Sequence, residues 1–178
     1  MTNRKDIKKS LAIFYSRNLI FLNNQEIGEV LMSNSFIESF EIKKKYPNTL
    51  IIRIFEKKPI AILIDKKKNF YLSEKIDLIE FKNLKDFSNL PYVLGDQKEF
   101  KTLYENLKKI NFSLDQIARF TLYESKRWDL ETKNKKTIKL PSKNYLKSLK
   151  NFLELKDKKI FTKYQLFDYR IENQLILR

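Results

Sequence analysis

At 178 residues, 42% of them hydrophobic and 13% aromatic, the chain holds enough apolar material to bury a core in one domain or two small ones. It has no Cys and no His, which excludes disulfide frameworks, thiol nucleophiles, Ser-His-Asp triads and His or Cys metal sites; with only 2 Gly there is no Gly-rich phosphate loop, so neither enzyme chemistry nor a cofactor is expected. The net charge of +15 is carried by 30 Lys against 7 Arg and raises the question of an anionic partner.

Residues 5 to 15 carry Ile7, Leu11 and Phe14 on one stripe with Lys5, Lys8 and Lys9 opposite, a helical spacing. Asn23 or Asn24 then caps a second helix over 25–32, with Ile27, Val30 and Leu31 inward. From Phe36 to Ile64 the period changes to two. Phe36, Phe40 and Ile42 share one face of a first strand. Leu50, Ile52 and Ile54 share one face of a second, with Ile51, Arg53 and Phe55 on the other. Between them Tyr46, Pro47, Asn48 and Thr49 supply turn chemistry, with Pro47 expected trans and Asn48 bonded locally. Pro59 cannot donate to a ladder, so it marks a bulge or an edge before strand resumes at Ile60–Ile64.

A domain boundary is expected near residue 65, giving domains of 1–65 and 66–178, although Ile60 to Phe81 also reads as one continuous run. Phe70–Ser73 and Leu78–Phe81 form a hairpin, and Gly95 is expected to end a strand and admit a helix over 97–110. That helix buries Phe100, Leu103, Tyr104, Leu107 and Ile110. Strands follow at Ile117–Tyr123, Trp128–Glu131 and Thr137–Leu140, then a helix over Asn144–Leu153. Two last strands, Tyr164–Ile171 and Gln174–Arg178, are joined at Glu172 and Asn173. Hairpins with two packed helices make this an α+β, mainly antiparallel β domain. Trp128 reads equally as a large core residue, and Asp168 with Arg170 as an exposed cross-strand pair.

Lys, Ile, Asn and Phe all have A/T-rich codons, so base bias alone yields this composition. The Lys runs (Lys43–Lys45, Lys66–Lys68, Lys133–Lys136, Lys156–Lys159) fall mostly in turns, as a solvated surface would have them. Anionic membranes and nucleic acid remain open as partners, although Arg, the better reader of base edges, is scarce.

The order Tyr46-Pro47-Asn48-Thr49-Leu50, followed by Glu56, Pro59 and Ala61, resembles the POTRA module of the FtsQ/DivIB family of bacterial cell-division proteins. The likeness continues in the second half. Leu90-Pro91-Tyr92-Val93-Leu94-Gly95 is similar to the family's entry into its second domain. Lys126-Arg127-Trp128-Asp129-Leu130 with Ile138 and Leu140 matches its R-x-W-x-L and I-x-L strands, and Asp168-Tyr169-Arg170 its penultimate strand. The resemblance implies an α+β fold: a POTRA-like module of two helices and a β-hairpin whose first strand is missing, then a β domain. Tyr46, Pro47, Thr49, Leu50, Glu56, Pro59, Trp128 and Asp168 are then structural motif positions.

It further implies a non-catalytic, extracytoplasmic scaffold of the divisome at the bacterial inner membrane, the bulk of the chain periplasmic, binding the partners FtsB and FtsL. FtsB would add a strand at the C-terminal edge. The residues implicated by position are Lys126, Arg127, Arg170, Ile171, Glu172, Asn173, Gln174, Leu175, Ile176, Leu177 and Arg178. Leu175, Ile176 and Leu177 are consecutive apolars in a last strand that nothing in this sequence follows. No apolar run approaches the roughly 18 residues a membrane helix needs, so the missing strand is expected immediately upstream of Met1 and the family's anchor helix, of about 20 residues, before that. Two other readings stay open. One is a POTRA-bearing transport or outer-membrane assembly component, although no second Y-P-N-T hairpin is present. The other is a basic nucleic-acid-binding protein, whose binding would fall steeply with salt.

Overall fold

A computed structural model describes residues 4–65 and 68–178, which form two compact units. The first comprises residues up to Lys58 with the short strand β5 (Leu78–Glu80); the second comprises Pro59–Asp77 and Phe81–Arg178. Pro59–Ile64, read from sequence ahead of a boundary near residue 65, therefore belongs to the second unit. Its backbone pairs there with two further strands.

In the first unit α1 (Arg4–Ser10) is shorter than its stripe suggested and passes into a 3-10 turn at Ala12–Phe14. The tighter winding stacks residues three apart, which brings Leu11 and Phe14 onto one buried face. The side chain of Asn23, not Asn24, caps α2 (Asn24–Met32), accepting from the Gln25 N–H at 2.9 Å. β1 (Ile37–Lys45) and β2 (Thr49–Glu56) are antiparallel, with Phe40 opposite Ile54, Ile42 opposite Ile52 and Lys44 opposite Leu50. Gly28 lets α2 approach β1 closely: a Cβ there would lie 2.8 Å from the Phe40 ring. Leu50, Ile52 and Ile54 pack on the buried cluster around Ile27 and Leu31 but stay half-buried, because they also line a groove of about 1260 Å³ beside α1. The Tyr46–Pro47 bond is cis, not trans as the turn reading expected; the tertiary amide of an X-Pro bond makes that isomer accessible. Asn48 bonds locally, its Oδ1 accepting from the Thr49 hydroxyl at 3.4 Å.

The second unit is built on a mixed sheet, not an antiparallel one. Its strands are β3 (Pro59–Ile64), β4 (Asn69–Ser73), β6 (Tyr92–Leu94), β7 (Ile117–Leu122), β8 (Trp128–Thr132), β9 (Thr137–Lys139), β10 (Leu166–Asp168) and β11 (Ile176–Leu177). Their spatial order is β11-β10-β9-β8-β7-β6-β3-β4. β3 with β6, β6 with β7 and β9 with β10 run parallel. The physical reason is helical crossover: α3 (Gln97–Lys109) returns β6 to β7, and α4 (Tyr145–Leu155) returns β9 to β10, so each pair points the same way.

Asp96 caps α3, its carboxylate accepting from Lys98 and Glu99 N–H groups at 2.8 and 3.1 Å. Phe100 and Leu103 of α3, Phe120 and Trp128 of the sheet, and Leu149 and Phe152 of α4 form one core with Phe167. Gly95 is not in a left-handed conformation. It is needed because a Cβ there would meet Leu122 Cβ at 2.7 Å and the Trp128 ring at 3.2 Å. Lys136, expected in a solvated turn, is buried; its ammonium donates to the carbonyls of Phe161, Thr162 and Tyr164 at 3.3, 3.1 and 3.0 Å.

Candidate functional site

β11 is the outermost strand of the second unit's sheet among the described residues. The long final hairpin expected from sequence is shorter: β10 and β11 cover three and two residues, and 169–174 form a wide turn. Asp168 explains the shortening. Its carboxylate turns back onto the following residues, accepting from the Arg170 backbone N–H at 3.1 Å and gripping the guanidinium through Nε (2.9 and 3.0 Å) and Nη2 (2.6 Å). Asn173 then adopts φ +58°, and Gln174 N–H closes onto Ile171 O at 3.2 Å. Ile171 is half exposed at the tip, and Glu172, Asn173 and Gln174 are exposed.

Past the turn the side chains alternate after all. Leu175 and Leu177 pack against the core, and Ile176 faces the other way, partly exposed. The backbone alternates too. Arg178 and Leu166 exchange both hydrogen bonds, at 2.9 and 3.2 Å. Asp168 opposite Ile176 is the next such pair. Between them Leu177 stands opposite Phe167 in a position without mutual bonds, so its N–H and C=O point away from β10.

On the sheet face opposite the helices, register sets Asp129 of β8, Lys139 of β9 and Asp168 of β10 side by side, and Ile176 continues the row onto β11. Arg127, just before β8, is ion-paired to Asp129 and lies 3.9 Å over the Tyr123 ring. Burial pushes the Asp129 carboxyl up from its ordinary value, opposed by Arg127 and Lys139. Asp168 moves the other way: its hydrogen bonds from Arg170 hold it below the usual carboxylate range. Lys126 sits at the β7–β8 turn with φ +58° and is drawn to Glu99, 2.7 Å away. Arg127, beside β8, and Arg170, beside β10, thus flank a row of alternating charge whose β10 end adjoins the outer strand. Sequence singled out Arg127, Asp168 and Arg170 but not Tyr123, Asp129 or Lys139; strand register is the signal that joins them.

A cleft of about 970 Å³ opens on the other side of the turn, between the start of α4 (Tyr145, Lys147) and Tyr169, Ile171 and Leu175. Tyr169 donates its hydroxyl to Asn151 Oδ1 at 3.0 Å, and burial raises the pKa of its phenol. Of the motif residues, Asp168 is in the charged row. Tyr46, Pro47, Thr49, Leu50 and Glu56 belong to the first unit; Pro59 opens β3 at a register shift, and Trp128 is core, edge-on to Phe100. Among the described residues there is no group of three or more acidic, His or Cys side chains that could hold a metal. No described helix is long and apolar enough to cross a membrane.

A helix-and-hairpin unit ahead of a mixed-sheet unit defines a POTRA-bearing protein, and the comparisons agree. Residues 1–57 match the FtsQ-type POTRA domain, and residues 62–170 match the C-terminal domain of cell division protein FtsQ/DivIB. The cell division protein FtsQ of Rickettsia bellii is 30% identical over 172 residues, covering 94% of this chain and 64% of that protein. That of Rickettsia conorii is 31% identical over 157 residues, covering 86% and 58%, and that of Methylomonas methanica is 22% identical over 160 residues, covering 88% and 63%. The chain therefore belongs to the FtsQ/DivIB family of cell-division proteins, and it spans less than two thirds of the length of these relatives.

Proposed function

We propose that this chain is a non-catalytic scaffold of the divisome, working on the extracytoplasmic side of the inner membrane and binding FtsB- and FtsL-like partners during septum assembly. An anchor helix outside this sequence would hold it at the membrane. An FtsB-like segment adds to β11 as a further strand, main-chain bonds giving affinity and side chains giving register. The observation that carries this reading is the outward-facing backbone of Leu177 on the outermost described strand; the same alternation carried one step past β11 would turn the Leu175 N–H outward too. Arg170, beside β10, suits acidic side chains on the added strand, and Ile171, Glu172, Asn173 and Gln174 frame it, while Lys126 and Arg127, at the β7–β8 turn, would meet a partner that continues across the charged row. Ile176 and Arg178 hold β11 to β10 and leave the outward positions to the partner.

Leu175→Pro tests the reading. It removes one outward donor without breaking a β10–β11 bond. Titration calorimetry with an FtsB-like peptide should show binding to the wild type and none to the variant, with little change in melting temperature. Equal binding, or binding lost only together with the fold, refutes the docking edge.

A further inference from the structure

Residues 11–22 of the first unit, LAIFYSRNLIFL, are divided by the fold into two sets. Leu11, Phe14, Leu19 and Leu22 enter the core. Ile13, Tyr15, Ile20 and Phe21 do not: they are 59%, 70%, 63% and 83% exposed, and Phe21 is the most exposed large hydrophobic side chain among the described residues. Scattered single apolar residues on a surface need no explanation, but four in nine positions do. Their presentation is built by hydrogen bonds. Asn18 Oδ1 accepts from Ile20 N–H at 2.9 Å and Asn18 O accepts from Phe21 N–H at 3.2 Å, so one turn carries both side chains at its tip. The Tyr15 hydroxyl donates to Lys8 O at 3.4 Å, which ties its ring to the end of α1.

The charge around this tip is mainly basic, with Arg17 paired to Glu26 at 2.6 Å. Lys8 and Lys9 are exposed in the last turn of α1, and Arg17 lies between Tyr15 and the Asn18 turn. The Lys44 ammonium reaches Leu22 O at 2.5 Å, next to Phe21. Asp6 is the only acid from Arg4 to Leu22. A protein partner fits this poorly, because Lys is depleted from the desolvated centres of protein interfaces. A bilayer surface fits it well: Phe and Tyr settle at headgroup depth while Lys stems snorkel toward anionic phosphates.

We propose that the Ile13–Phe21 tip and the lysines of α1 form a docking surface for an anionic lipid bilayer. This surface belongs to the first unit and the β11 edge to the second, and neither reading depends on the other. Bound there, Ile20 and Phe21 insert shallowly at the acyl boundary, and Lys8 and Lys9 lie against the headgroups.

The test uses the whole chain and sucrose-loaded vesicles of phosphatidylcholine, with or without about 30% phosphatidylglycerol. Co-sedimentation should occur with the anionic vesicles only and weaken at about 0.5 M salt. Ile20→Ser with Phe21→Ser should weaken partition by about tenfold, as should Lys8→Glu with Lys9→Glu, with melting temperature unchanged. Ile160→Ser, at an exposed apolar site of the second unit, should change nothing. A Phe21→Trp variant should shift its emission to the blue on vesicles, against a constant background from the buried Trp128. No binding, equal binding to neutral vesicles, or serine variants that bind like the wild type on net charge alone would each overturn the proposal. So would a Phe21→Trp emission unmoved by lipid.

Discussion

Lys136→Met removes a buried ammonium while keeping most of its aliphatic stem. Lys136 is 7% exposed, and its three donors go to three consecutive-region carbonyls of the α4–β10 connection, Phe161, Thr162 and Tyr164. The ammonium also lies 5.3 Å from the Phe167 ring centre, on β10. Methionine leaves all three carbonyls without that donor. An unsatisfied carbonyl costs about 1–3 kcal/mol when water cannot reach it, and this loop lets water reach some of them; the desolvation of the lysine itself is recovered. The expected net loss is about 2–4 kcal/mol. Urea unfolding followed by Trp128 fluorescence reads it directly, because Trp128 is 4% exposed in the same unit's core. The connection leads straight into β10, which carries β11, so peptide binding should fall in the folded variant as well. A loss below about 0.5 kcal/mol with binding intact would refute the argument, since the carbonyls would then be satisfied without the lysine.

Gly95→Ala should cost about 1–3 kcal/mol in the same unfolding experiment, because its Cβ would press on Leu122 and Trp128, and a near-neutral result would show that this contact relaxes freely. Arg170→Met tests the depressed Asp168. A carboxyl held low in the folded state adds stability above its unfolded pKa of about 3.9 and loses it as pH falls through the lower folded value. The stability gap between wild type and variant should therefore be full near neutrality and close in strong acid; a gap independent of pH would mean that packing, not the ion pair, is what Arg170 supplies.

The two-residue period of β1 and β2 was open to reading because each strand has one wet face, and a side chain's period records its own exposure. Partner and direction leave no such record. β6 with β7 and β9 with β10 look like any short apolar strands, and only the intervening helices α3 and α4 make them parallel. Lys136 was hidden for a related reason. It sits in a run of lysines that reads as solvent-facing, and what distinguishes it is a set of carbonyls 25 to 28 residues away. At the candidate site, Arg127, Asp168 and Arg170 stood out by resemblance to family motifs. Asp129 and Lys139 became part of the site only when register placed them in one row. The expected strand through Tyr169–Ile171 failed because Asp168 bonds to Arg170 within its own strand, which curls the backbone away from the ladder.

That curl bears on how an edge strand of two residues can serve as a docking platform. A longer β11 would present a longer unpaired ladder and a greater hazard of pairing with copies of itself. Here the exposed ladder is short, and its neighbours are charged: Arg170 beside β10 and Glu172 in the turn. A second copy of β11 would bring a second Arg170 toward the first, and repulsion would oppose the match. A strand with acidic side chains meets no such repulsion. The short edge offers few backbone bonds, so affinity has to come also from side chains reaching Arg170 and the cleft by Tyr169. Charge reversal at Arg170 should then weaken an acidic peptide more than Ile171→Ala does, because Arg170 acts through a ladder-adjacent charge, whereas Ile171 stands at the tip of the turn, half exposed.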